Sequence, residues 1–78
     1  MRKDDRRTTI TRRTESARQA LDQYCRSKGE PLDTLETGII DLLTDLLHLA
    51  QTEGQDGFML GQTAQMHFLV ETEHTRNP

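Results

Sequence analysis

The amino-acid sequence predicts an all-α protein: a small helical bundle of two long helices plus a shorter leading one, with a mobile basic N-terminal arm. Three observations carry this. Leu35, Ile39, Leu42, Leu46 and Leu49 step by 4, 3, 4 and 3 residues, the spacing of a single helix stripe. Gly29 and Gly54 each stand where an apolar period stops, as helix-ending glycines do. The charges are also split: residues 1–30 hold nine Lys/Arg against five Asp/Glu, net +4, whereas residues 31–78 hold Arg76 alone against eight acids, net −7. A basic leading segment is thus joined to an acidic, leucine-rich body. Asymmetry of this kind marks an arm that meets something of opposite sign, or two parts of one fold that attract each other.

At 78 residues the chain is one domain at most, and a chain so short leaves roughly 40% of its surface exposed when folded. The expected division is a basic arm over 1–13, a helical domain over 14–74 and a tail over 75–78. Within the arm Ile10 is the one internal hydrophobe, so order there must come from a partner. Ala17, Ala20, Leu21, Tyr24 and Cys25 share a narrow face and place the leading helix over Thr14 to Lys28. Gly29 ends it, and Glu30-Pro31 prevents continuation.

The main helix is expected over Leu32 to Glu53. Asp33 is its candidate cap, with Glu36 three residues on to reach back. Beside the first stripe runs a second of Ile40, Leu43, Leu47 and Ala50, so the helix needs cover on two sides. One neighbouring helix cannot supply that, and Ile40, Leu43 and Leu47 are the expected face for a partner or a homodimer. Gly38 costs about 1 kcal/mol against alanine inside a helix and points to a close crossing. Gln55-Asp56-Gly57 is a turn, and a further helix follows from Phe58 to about Glu73. Leu60, Ala64 and Phe68 form its stripe, widened by Met59, Met66, Leu69 and Val70.

Composition also narrows the functional classes. The apolar stretch Leu35 to Ala50 carries Asp41, Asp45 and His48, which excludes a membrane span. The first residues show no apolar run after their charges and do not read as a secretory signal, so a cytoplasmic setting is expected. The single cysteine, Cys25, forms no internal disulfide and no cysteine-based zinc site, and reads as a small hydrophobe. No phosphate loop or nucleophile elbow occurs, so no enzyme activity and no cofactor is expected.

Two residue sets remain as candidate sites. Asp41, Asp45 and His48 fall at i, i+4 and i+7, and His67, Glu71 and His74 repeat that spacing on the next helix. Facing edges of this kind hold metals in helical bundles, although any solvated helix edge shows the same residues. The solvated edge is the favoured reading, with Asp41, Asp45, His48, His67 and Glu71 as the metal alternative. Arg6, Arg7, Thr9, Thr11, Arg12, Arg13 and Arg18 combine guanidinium forks and hydroxyls that donate to phosphate oxygens, and are the candidate nucleic-acid or partner contacts.

Residues 7–35 resemble a ribbon-helix-helix DNA-binding domain, with Arg7-Thr8-Thr9-Ile10-Thr11-Arg12 as the ribbon strand, Thr14 to Lys28 as the first helix, and Gly29 ahead of Leu32 and Leu35. That resemblance implies a dimer in which Thr9, Thr11 and Arg13, or alternatively Thr8, Ile10 and Arg12, face the major groove. Residues 33–73 are similar to small uncharacterised helical proteins encoded on bacterial phages, plasmids and integrative elements. The likeness lies in Asp41-Leu42, Asp45-Leu46, His48 and His67-Phe68. It implies a helical fold and a mobile-element setting without naming an activity. The function expected is non-enzymatic: an accessory protein that binds a protein or nucleoprotein target and inhibits a host defence or regulatory complex. A dimeric DNA-binding regulator is the alternative, and a metal-binding bundle the third.

Overall fold

The computed structural model describes residues 5–76, and side chains within 9–73. Among these residues it holds three helices and no strand: α1 (Asp5–Lys28), α2 (Leu35–Thr52) and α3 (Gly57–Arg76). The all-α class is as the apolar spacing requires. The chain divides after Leu42 into two compact units, so α2 contributes its first half to one and its second half to the other.

In the first unit, α1 is longer than its apolar face suggests. It begins at Asp5 rather than Thr14, so residues 5–13, expected as an arm, continue the helix. No proline or glycine interrupts Asp5 to Lys28, so nothing in the backbone stops it there. The Thr14 hydroxyl donates backwards to the Thr11 carbonyl at 2.9 Å, a bond made inside a helix. The Arg7–Arg12 segment assigned to a ribbon strand is helical here.

Gly29 ends α1 at φ +73, where its N–H bonds the Arg26 carbonyl and the Glu30 N–H bonds that of Cys25. This is the Schellman arrangement, which needs a left-handed residue. The N-cap of α2 is Thr34, not Asp33. Its Oγ1 accepts the Thr37 N–H at 3.1 Å, and its hydroxyl donates to that of Thr37 at 2.9 Å. Because the helix opens at Leu35, the residue placed to cap it is Thr34, and the Asp33–Glu36 pair is one position out of register.

Where α1 meets α2, Leu21 is the one buried large hydrophobe among the described residues, 4% exposed. Gly38 stands at this crossing. A methyl built there would lie 3.4 Å from Leu21 Cδ1 and would overlap Leu32 Cδ1.

The second unit is a hairpin of the end of α2 and α3. Gly54, at φ +85, repeats the Schellman stop: its N–H bonds the Gln51 carbonyl, and the Gln55 N–H bonds that of Ala50 at 2.8 Å. Asp56 caps α3 through Oδ1, which accepts the Met59 N–H at 3.1 Å. The helix therefore starts at Gly57, one residue before the expected Phe58, and runs to Arg76 rather than Glu73. Leu47 packs against α3 where α3 has no side chains. A methyl on Gly57 would sit 2.8 Å from the Leu47 carbonyl oxygen, and one on Gly61 would sit 3.3 Å from Leu47 Cδ1. The Gly57 N–H also donates to Gln51 Oε1 at 2.6 Å, tying the two helices beside the turn.

Candidate functional site

The expected contact residues of the leading segment fall on a helix, which redistributes them. Thr9, Thr11, Arg12, Arg13 and Arg18 are exposed on α1, and Arg6 and Arg7 lie in its first turns. At 100° per residue, Arg6, Thr9 and Arg13 (i, i+3, i+7) fall in one row, and Arg7, Thr11 and Arg18 (i, i+4, i+11) in another. Thr9, Thr11 and Arg13, which alternate to one side of a strand, do not share a side of α1. The same holds for Thr8, Ile10 and Arg12. Arg13 and Arg18 thus fall in different rows of α1.

Asp41, Asp45 and His48 line an edge of α2, and His67 and Glu71 lie on α3, all of them exposed. Among the described residues no three His, Cys, Asp or Glu side chains come together in a way that could hold a metal ion. Asp41 belongs to the first unit and the other four to the second. Cys25 is half-buried on α1, in a small cleft that Tyr24, Lys28, Leu32, Thr37 and Asp41 also line. At its rim the Lys28 ammonium donates to Tyr24 Oη at 3.2 Å, lies 4.7 Å from the ring centre and 3.6 Å from Glu30 Oε1. The Tyr24 hydrogen bond, with the nearby carboxylates of Glu30 and Asp41, raises the Lys28 pKa above the ordinary lysine value.

The expected dimer face is divided. Ile40 and Leu43 are each 54% exposed, but Leu47 is half-buried against the α3 glycines. Of the first stripe, Leu35, Ile39, Leu46 and Leu49 are 43–54% exposed and Leu42 is half-buried. Compared with known proteins, the chain matches no family model, no curated protein and no solved structure. The site therefore rests on geometry alone. No described helix is long and apolar enough to cross a membrane.

The surface that periodicity reading missed is on α3. Gly57 and Gly61 fix the side turned to α2, and Ala64 and Phe68 follow them in register. On the opposite side stand Met59, Met66 and Val70, flanked by Phe58 and Leu69, all between 53% and 71% exposed. The sequence does carry a signal for this. From Gly57 to Val70 there is no Asp, Glu, Lys or Arg, whereas about a quarter of ordinary residues are charged. An uncharged stretch with this many exposed apolar side chains suits contact with another apolar surface.

Proposed function

We propose that the chain is a non-enzymatic binding protein: a cytoplasmic accessory factor that docks on a protein or nucleoprotein target. Inhibition of a host defence or regulatory complex fits its small size and acidic body. One observation carries the reading. Among the described residues fifteen large hydrophobic side chains are exposed and one, Leu21, is buried, so most of their apolar surface is available for contact rather than used in a core. Monomers rarely expose apolar patches beyond about 300–600 Å² without a partner for them. Affinity capture from host lysate, with and without nuclease, tests this. A defined protein complex that survives nuclease and is lost on Leu43→Glu, at a residue 54% exposed on α2, supports the reading. Recovery of nucleic acid alone overturns it.

A second reading, nucleic-acid binding, is favoured by the two arginine rows of α1. Binding of that kind is dominated by phosphates, falls steeply with added salt and shows little sequence preference. Deleting residues 1–13 then abolishes duplex binding while leaving the helicity of the remaining chain nearly unchanged. A sequence-specific complex insensitive to salt, or loss of all folding on deletion, speaks instead for a paired ribbon in the DNA-bound form.

A further inference from the structure

The packing of α3 leaves a question that target binding does not answer: what covers its outer side when no target is present. The inner side is accounted for in its first turns, where Gly57 and Gly61 let Leu47 approach the α3 backbone directly, while Phe68 farther along is 70% exposed. The outer side is not. We propose that Met59, Met66 and Val70, with Phe58 and Leu69 beside them, seat the same stripe of a second copy of this chain, giving a two-fold antiparallel α3–α3 contact.

Area, charge and the state of the core each favour a second copy. Phe58 is 71% exposed and the other four 53–57%. At ordinary side-chain areas that is about 500 Å² per chain, so a symmetric pair removes roughly 1,000 Å², the lower bound of a specific interface. Charge points the same way. The stripe lies within the uncharged segment Gly57–Val70, so it fits neither the phosphates of a nucleic acid nor a charged groove, while it fits its own copy. In an antiparallel pair centred midway along the stripe, Met59 of one chain would meet Leu69 and Val70 of the other, apolar against apolar. Such self-complementarity is what a two-fold contact demands.

The core supplies the third argument. With Leu21 the one buried large hydrophobe described, a single copy has little to offset the entropy of ordering three helices. A partner needed for folding itself must be present whenever the chain is, and another copy meets that condition by mass action. None of this requires a target, so it stands or falls independently of target binding.

Dilution of the purified full chain is the test. Sedimentation at tens of micromolar should show a dimer, and dilution 100-fold should lower both helical circular dichroism and the melting temperature. Met66→Glu puts a charge into the contact and should weaken association at least 100-fold. Gln55→Glu adds the same charge in the exposed connector and should change it less than threefold. If Met66→Glu leaves no folded protein, the wild-type dilution series still decides, and Met66→Leu should restore the dimer. A folded monomer across the whole range overturns the proposal. So does a dimer that Met66→Glu leaves intact, or a chain that folds only when a different protein is added.

Discussion

The two helix crossings are built from similar parts and work differently. Each follows a glycine-terminated Schellman stop, and each uses a glycine to bring helices close. At Gly38 the neighbours are side chains, Leu21 and Leu32, so the crossing gathers apolar atoms around one buried residue. At Gly57 the nearest atom is a backbone oxygen, that of Leu47, and among the described residues no large hydrophobe of this second hairpin is buried. The first crossing excludes water from a small core, while the second brings two backbones together and turns its hydrophobes outward. A short chain can thus hold its helices in place and still keep most of its apolar surface for contact.

The largest effect should come from the one buried side chain. Leu21→Ala removes most of what the first crossing buries, at a cost of about 3 kcal/mol, comparable to core leucines elsewhere. Leu46→Ala, at a residue 48% exposed, should cost well under half as much in the same urea titration. Equal losses would erase the distinction between a crossing with a core and a hairpin without one.

Next come the glycines. Gly57→Ala sets a methyl against the Leu47 carbonyl, which moves only if the helix moves, so a loss of about 1–2 kcal/mol is expected. Gly38→Ala meets the end of the Leu32 side chain, which is 36% exposed and free to rotate outward. That strain is offset by about 1 kcal/mol of helix propensity, leaving the variant within about 0.5 kcal/mol of wild type. Thermal melts of the two variants side by side show whether backbone or side chain sets each crossing. A Gly38→Ala loss as large as that of Gly57→Ala would mean that Leu32 is held as firmly as a backbone.

These contrasts also explain how far the sequence could be read. The Leu35–Leu49 period located α2, and Gly29 and Gly54 located both stops, because apolar spacing and left-handed glycine are local signals. The start of α1 was hidden because the apolar period fades before Ala17, although a helix needs only residues that permit it. The cap of α2 was misplaced by one residue because Asp33 and Thr34 both suit the role and only the helix start separates them. At α3 the side facing α2 is marked by Gly57 and Gly61, which carry no hydrophobic side chain for a periodicity reading to register. Met59, Met66, Leu69 and Val70 therefore read as a widening of one face when they form most of another. The same blindness assigned Leu47 to an outer surface, although it packs on those glycines.

The smallest expected effect lies at the polar edge of the first crossing. Lys28 has its pKa raised by the Tyr24 hydroxyl, and then by Glu30 and Asp41, so its charged form is favoured in the folded chain. A group whose folded pKa exceeds its unfolded one stabilises fully below the unfolded value, and that contribution fades as pH rises through the folded value. Lys28 should therefore add nothing to the pH dependence between pH 6 and about 9, and its share should disappear only in strong alkali. The pair with Glu30 is solvated at 3.6 Å, and exposed pairs of this kind contribute little. Tyr24→Phe removes the hydrogen bond while keeping the ring beneath the ammonium. Its melting temperature at pH 7 should lie closer to wild type than that of any variant above except Gly38→Ala, and its loss of stability in alkali should be shallower, because the folded Lys28 pKa falls back toward the unfolded one. Melts from pH 7 to 11 check both. A neutral-pH loss approaching that of Leu21→Ala would place the strength of this crossing in its polar rim rather than in its one buried leucine.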